Sequence, residues 1–165
     1  MPAKNLFSAF VELTKPRITF LILVSTALGY YLGNQSKIDI TLFALTMIGT
    51  FFLSGGAGTI NHFVEKDLDK LMDRTQARPI PAGIISSKNA LVFGVSISIF
   101  GFVILAASVN YLTAILGLLT VLLYIFVYTP IPLNLNFLMK KPLCNIINII
   151  AVSYTHLTLP TNREV

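Results

Sequence analysis

The sequence predicts an all-α, polytopic transmembrane helical bundle. Of its 165 residues, 55% are hydrophobic and 12% are charged, which is too apolar for a soluble domain of this size. Apolar runs long enough to cross about 30 Å of hydrocarbon recur along the chain. The net charge of +5 does not indicate nucleic acid, because the basic residues lie between apolar runs. The expected partners are the lipid bilayer and a phosphorylated ligand.

The N-terminal segment, residues 1–17, precedes the first apolar run. Its larger apolar side chains fall roughly on one helical face; they are Leu6, Phe7, Phe10, Val11 and Leu13. We therefore expect this segment to lie along the membrane surface.

Four spans are predicted, at residues 18–33, 40–60, 90–109 and 111–128. The last two belong to one apolar stretch that would reach about 58 Å as a single helix, so this stretch must turn. We expect the turn at Asn110, its strongly polar residue. Before residue 152, ten Lys and Arg residues lie on one predicted side and one on the other. The positive-inside rule then places the N-terminus and the 61–89 loop in the cytoplasm, with the bacterial inner membrane as the expected location.

A fifth apolar run begins near Leu143 and does not finish. From Val152 onward, polar and β-branched residues, His156 and Pro160 are incompatible with a span. This segment also resembles the in-frame translation of a sequencing-library transposon adapter. We expect residues 152–165 to be a non-native tail and the fifth span to be truncated.

The acidic residues are concentrated in one stretch. Four of the seven lie within nine positions, at Glu65, Asp67, Asp69 and Asp73. On a helix that continues from the second span, Asn61, Glu65, Asp69 and Asp73 recur every four residues and form one stripe. Mg²⁺ takes one or two carboxylates and keeps other positions for water and substrate phosphate. The stripe is therefore suited to a magnesium diphosphate.

A basic stripe runs beside the acidic one if the helix continues that far; it consists of Lys66, Lys70, Arg74 and Arg78. Arginine can donate two hydrogen bonds to phosphate oxygens, so the two stripes could hold a diphosphate from two sides. The spacing also fits a juxtamembrane helix with solvated ion pairs. His62 is either a substrate contact or an interfacial polar residue.

The stretch from Asn61 to Pro79 resembles the first motif of the UbiA prenyltransferase superfamily, N-x-x-x-D-x-x-x-D followed by R-T-x-x-R-P, with Glu65 at an aspartate position. Three further features are most similar to the protohaem IX farnesyltransferase branch. They are Asp67, the order Met72-Asp73-Arg74-Thr75, and the opening Leu13-Thr-Lys-Pro-Arg-Ile-Thr19.

The resemblance implies a bundle of roughly nine helices in which two acidic motifs hold Mg²⁺ and an isoprenyl diphosphate. Residues 18–151 would be its N-terminal part, and the second motif would lie beyond residue 151. The implied metal ligands are Asn61, Glu65 and Asp69. The implied diphosphate contacts are Lys15, Asn61, Lys70, Arg74 and Arg78. Asp67 and Asp73 would support catalysis.

The implied activity is Mg²⁺-dependent transfer of the farnesyl group of farnesyl diphosphate to the vinyl group of haem B, giving haem O. The chain by itself is expected to be an inactive fragment. An aromatic polyprenyltransferase of a quinone pathway remains open. From another class, a partial cation transporter or a non-enzymatic membrane fragment also remains open, although a transporter predicts acidic residues inside the spans, which here contain none.

Overall fold

The computed structural model describes residues 5–33 and 39–128, which form five α-helices and a π-helical turn. The elements are α1 Leu6–Leu13, α2 Pro16–Gly33, α3 Ile40–Lys70, α4 Ser87–Ser108, α5 Tyr111–Leu123 and the π turn Tyr124–Tyr128. No strand occurs within these two ranges, which confirms the all-α fold class. The expected half-span near Leu143 and the tail 152–165 lie outside the described residues.

Side-chain caps define where three of the helices begin. The Asp39 carboxylate accepts hydrogen bonds from the backbone N–H groups of Thr41 and Leu42, at 2.8 and 3.1 Å. Ser86 caps α4 in the same way. The Asn110 side-chain oxygen accepts from the Leu112 N–H at 3.0 Å. Because an N-cap satisfies backbone donors that lack helical partners, Asn110 allows a new helix to start directly after α4. The turn predicted at this residue is confirmed.

The helices suit a membrane by length and composition. Among the described residues, α3 and α4 are long and apolar enough to span a bilayer, and Tyr111–Phe126 is a shorter apolar helix. At 31 residues, α3 is about 46 Å long, which exceeds a hydrocarbon core of about 30 Å. Its polar C-terminal end, from Asn61 onward, therefore extends beyond the apolar layer.

Helices α3 and α4 form the most extensive helix pair, and glycines allow their backbones to approach closely. A Cβ atom built on Gly56 would lie 2.0 Å from Ser98 Oγ and 2.7 Å from the carbonyl oxygen of Gly94. One built on Gly101 would lie 2.6 Å from the backbone nitrogen of Leu53. Small residues at such contacts are typical of membrane helix pairs. This crossing determines where the polar end of α3 lies.

Helix α3 ends at Lys70, before the charged stretch is complete. The Thr75 hydroxyl donates to the backbone carbonyl of Asp69 at 3.0 Å, which satisfies an acceptor left without a helical partner. Residues 71–83 then continue as turns. The two stripes therefore end at Lys70, because Asp73, Arg74 and Arg78 lie outside the helix.

The N-terminal helix is held against these turns by an apolar cluster. Ala9 and Leu13 of α1 are fully buried against Ile80, Ile85 and Ala90. Because this cluster fixes the end of α1 near the polar end of α3, residues that are distant in sequence come together around one cavity.

Candidate active site

A cavity of about 730 Å³ lies where the α1–α2 junction, the polar end of α3, the following turns and the π turn meet. Charged and polar groups from all four parts face it. Its lining residues are Glu12, Lys15, Pro16, Arg17, Ile18, Asn61, His62, Glu65, Arg74, Arg78 and Tyr124.

One face of α3 supplies the predicted metal ligands. Asn61 is completely buried, Asp69 is 4% exposed, and Glu65 lies between them at the four-residue spacing of one helical face. The structure therefore places Asn61, Glu65 and Asp69 in order along one face of α3, and their role as ligands stays a prediction.

Arg78 connects the two carboxylates of this face. Its Nη1 donates to both oxygens of Asp69, at 2.7 and 2.6 Å, and lies 3.9 Å from Oε2 of Glu65. The side chains of Glu65 and Asp69 are 14% and 6% exposed, so this ion pair is shielded from water. Charge-assisted contacts that are shielded from water in this way are stronger than surface ion pairs.

Lys15 reaches the cavity from the junction of α1 and α2. Its ammonium group donates to Oδ1 of Asn61, 46 positions further along the chain, and the Tyr124 hydroxyl lies 3.4 Å from the same oxygen. The backbone of Lys15 has φ +50°, a left-handed conformation that is unfavourable for a residue with a side chain and more so before proline. Such strain is typical of functional sites.

His62 lines the cavity as a buried, neutral group. It is 4% exposed, and its Nδ1 has no hydrogen-bond partner within the described part of the chain. Burial, together with the neighbouring charges of Lys15 and Arg78, lowers the pKa of His62 to about 3. The imidazole therefore offers a hydrogen-bonding nitrogen rather than a positive charge.

Four predicted site residues do not line the cavity: the buried Asp69, which contacts the lining residue Arg78, and the exposed Asp67, Lys70 and Asp73. Asp67 and Lys70 are exposed and form a loose pair at 3.5 Å, and Asp73 is exposed on the first turn after α3. Arg74 is exposed but lines the cavity. The roles of Asp67, Lys70 and Asp73 stay predictions, since none of them lines this cavity.

The cavity also contains residues that sequence reasoning missed. Glu12, Arg17 and Tyr124 line it without having been predicted as site residues. The run Lys15-Pro16-Arg17 before the first span was a usable signal for Arg17, since two cations flank a helix start. Tyr124 carried no local signal, because its contact with Asn61 joins residues 63 positions apart.

The donor set fits Mg²⁺. Among the described residues, no three His, Cys, Asp or Glu side chains are grouped closely enough to hold a metal, so the candidate set consists of two carboxylates and one amide oxygen. Mg²⁺ prefers oxygen ligands and is bound by one or two carboxylates together with water and substrate phosphates. Since Arg78 Nη1 lies within 4 Å of both Glu65 and Asp69, one cation can interact with both carboxylates.

Thr75 holds the turn that carries Arg78, so its removal should disturb the site. Thr75→Val keeps the shape but removes the hydroxyl that bonds the Asp69 carbonyl and also contacts Met72 O. We expect the free energy of unfolding of this variant to be about 1 kcal/mol lower, which is the scale of one net hydrogen bond. Thermal unfolding in detergent measures this, and Thr75→Ser, which keeps the hydroxyl, should stay close to the original protein. Equal losses in both variants would contradict the assigned bond.

Together, the fold and the cavity define a helical integral membrane protein with a polar, ligand-sized site at the ends of its helices. The sequence model of the UbiA prenyltransferase family matches residues 22–157, most of the chain. The protein therefore belongs to the UbiA prenyltransferase family.

Individual relatives agree with this assignment. The protoheme IX farnesyltransferase of Leptospira biflexa is 40% identical over 124 residues, covering 75% of this chain and 44% of that protein. The enzyme of the same name from Solibacter usitatus is 42% identical over 130 residues, covering 73% and 44%. The chain thus spans less than half the length of these curated relatives.

A solved structure shows the same fold. A UbiA homologue from Archaeoglobus fulgidus, bound to DMAPP and Mg²⁺, superposes with a TM-score of 0.74 at 20% identity, covering 92% of this chain and 54% of that one. At this identity the likeness concerns the fold.

Proposed function

We propose that the full-length protein is a Mg²⁺-dependent protohaem IX farnesyltransferase, which transfers the farnesyl group of farnesyl diphosphate to a vinyl group of haem B. The observation that carries the proposal is the cavity in which Lys15, Arg74 and Arg78 face Asn61 and Glu65 at the ends of apolar helices. The names of the relatives support haem as the acceptor, and the bound DMAPP of the Archaeoglobus homologue supports an isoprenyl diphosphate as donor.

The polar cavity suits the diphosphate of such a donor. Lys15 supplies an ammonium group, and Arg74 and Arg78 supply guanidinium groups that match phosphate oxygens. The isoprenyl chain requires apolar surroundings, which the adjoining spans offer. The site therefore suits a ligand that has a charged diphosphate head and an apolar tail that dissolves in the membrane.

In the proposed reaction, the allylic carbon–oxygen bond of farnesyl diphosphate breaks and both electrons leave with the diphosphate. The electron pair of the vinyl group then attacks the allylic cation, and water adds to the resulting cation with loss of a proton, which gives haem O. The cationic side chains of Lys15, Arg74 and Arg78 stabilise the charge that develops on the leaving diphosphate.

Asn61, Glu65 and Asp69 would hold Mg²⁺, which when bound adds Lewis-acid stabilisation of the leaving diphosphate. Lys15 and Tyr124 contact the side-chain oxygen of Asn61, and Arg78 contacts the carboxylates, so these neighbours hold the oxygens in place in the metal-free protein.

We further propose that the cavity faces the cytoplasm from the bacterial inner membrane. The excess of Lys and Arg on the side of residues 61–89 supports this orientation. It also suits the donor, because an isoprenyl diphosphate has a charged head that stays in water beside the membrane.

The direct test is haem O formation by the purified full-length protein from haem B, farnesyl diphosphate and Mg²⁺. Removing the metal with EDTA should lower turnover by at least about a hundredfold, the scale of a lost electrostatic contact to a leaving group, and added Mg²⁺ should restore it. Farnesylation of 4-hydroxybenzoate instead of haem B would show that the acceptor is aromatic. Transfer to neither acceptor would contradict the proposed activity.

A further inference from the structure

Arg78 contacts the same carboxylates that the proposed metal site requires. Both oxygens of Asp69 lie within 2.7 Å of its Nη1, and Glu65 Oε2 lies 3.9 Å away. The Arg78 side chain is only 25% exposed. Within the described residues, one guanidinium group therefore stands where a cation shared by Glu65 and Asp69 would lie.

A guanidinium group and Mg²⁺ are competitors for these oxygens. The two carboxylates carry two negative charges and Arg78 carries one positive charge, so a bare divalent cation must displace or repel the arginine. A diphosphate changes this balance, because its oxygens offer the guanidinium group an anionic partner that can accept two parallel hydrogen bonds. Displacing Arg78 from the carboxylates therefore costs less free energy when the metal enters with a diphosphate than when the metal enters alone.

The local backbone allows Arg78 to change partners without unfolding. Its N–H donates to the Thr75 carbonyl at 3.0 Å and its carbonyl accepts from the Ala82 N–H at 2.9 Å, so its main chain is fixed. The following Pro79 is fully buried. Only the side chain needs to rotate, and it already lines the cavity.

We propose that Arg78 is an internal counter-ion that holds Glu65 and Asp69 in the metal-free protein and transfers to the diphosphate when a magnesium diphosphate enters. The proposal rests on the proposed function, because it uses the same metal site. Its consequence is thermodynamic coupling: the diphosphate strengthens metal binding, and the metal strengthens diphosphate binding by the same factor.

The test is Mn²⁺ binding, measured by electron paramagnetic resonance of the free ion, with purified full-length protein in detergent. Without diphosphate, Arg78→Gln should bind Mn²⁺ at least about tenfold more tightly than the original protein, the scale of one charge-assisted hydrogen bond. With a non-reactive farnesyl thiodiphosphate present, the gain should disappear, because Arg78→Gln also lacks the diphosphate contact.

Lys88→Gln is the matched control, since it removes one positive charge from an exposed side chain at the start of α4 that does not line the cavity. It should change Mn²⁺ affinity by about twofold or less, as expected for an exposed, screened charge. Equal effects of Lys88→Gln and Arg78→Gln would overturn the proposal, because they would indicate general charge repulsion. Unchanged or weaker Mn²⁺ binding by Arg78→Gln would also overturn it.

Arg78→Lys keeps the positive charge but lacks the guanidinium group. We expect its gain in Mn²⁺ affinity to be smaller than that of Arg78→Gln and in the same direction. If Arg78→Gln does not yield folded protein, unchanged Mn²⁺ affinity in Arg78→Lys overturns the proposal. The metal site itself is tested separately: if the original protein binds no Mn²⁺ even with the thiodiphosphate, the proposed function fails as well. Tight Mn²⁺ binding that is insensitive to Arg78 removes only the counter-ion role.

Discussion

Asp69→Asn should lower the turnover of haem O formation by about a hundredfold to a thousandfold, the usual cost of removing a preorganised electrostatic contact at a reacting group. The substitution keeps the size of the side chain and removes its charge. Asp69 is 4% exposed and accepts two short hydrogen bonds from Arg78, so the variant weakens both the proposed metal site and the orientation of the arginine. The measurement is the initial rate with purified full-length protein, haem B, farnesyl diphosphate and saturating Mg²⁺.

Asp67→Asn is the comparison variant. It tests whether the position of an aspartate in the structure, or only its place in the sequence motif, determines the loss of turnover. Asp67 lies two residues away on the same helix, but its side chain is 75% exposed and pairs only loosely with Lys70. We expect its loss of turnover to be at least tenfold smaller than that of Asp69→Asn, because its exposed charge is screened by water whereas Asp69 is buried against Arg78. Equal losses would indicate that Asp67 enters the site in the full-length protein, as the motif predicts.

Two measurements prevent misinterpretation of the Asp69 result. The unfolding temperature of Asp69→Asn shows whether the lost ion pair has disrupted the fold, since breaking a shielded pair leaves Arg78 without its main partner. Raising Mg²⁺ concentration shows whether the defect lies in metal affinity. Turnover within about threefold of the original protein, at any Mg²⁺ concentration, would exclude Asp69 from the proposed role; a few-fold change is small on the scale of a tenfold effect per 1.36 kcal/mol.

The sequence predicts well whatever depends on local periodicity. The turn at Asn110 is confirmed because a single helix through that stretch would be far longer than a bilayer is thick and because asparagine is a good N-cap. The common face of Asn61, Glu65 and Asp69 is also found, since all three lie on one continuous helix. In both cases neighbouring residues suffice to determine the geometry.

Contacts between distant residues could not be predicted in the same way. The bond from Lys15 to Asn61 depends on how α1 packs against the turns at Ile80 and Ile85, which no local pattern describes. The end of α3 at Lys70 depends on the Thr75 hydroxyl returning to the Asp69 carbonyl, and this turn in turn places Arg78 against Asp69. Arg78 therefore meets Glu65 and Asp69 through the turn that follows α3 and not as part of a parallel stripe on the same helix.

Gly56→Ala should destabilise the helix pair on which the cavity depends. The new methyl group would lie 2.0 Å from Ser98 Oγ, 2.7 Å from the Gly94 carbonyl oxygen and 2.9 Å from the Ser98 nitrogen. Two of these atoms belong to the backbone, so a side-chain rotation cannot relieve the overlap and the helices must separate. Overpacking of this kind costs about 1–3 kcal/mol or more. The measurement is the midpoint of thermal unfolding in detergent.

Gly55→Ala is the matched control, because it adds the same methyl group one position earlier on α3. There the nearest atoms are Thr14 Cβ at 3.3 Å and Thr14 Cγ2 at 3.5 Å, which belong to a side chain that can shift slightly. We expect a clearly smaller loss for Gly55→Ala. Adding Ser98→Ala to Gly56→Ala should recover part of the stability, since it removes the hydroxyl overlap and leaves the backbone overlap in place.

The loss in Gly56→Ala should extend to the active site, because Asn61 lies little more than one helical turn beyond the substituted position. A shift of α3 away from α4 moves Asn61 and Glu65 relative to Lys15 and Arg78, so metal-dependent turnover should fall even at temperatures where the variant remains folded. An unfolding midpoint within about 2 °C of the original protein, which corresponds to less than about 1 kcal/mol for a chain of this size, would contradict the close contact. Unchanged turnover with a lowered midpoint would instead show that the site is held independently of this crossing.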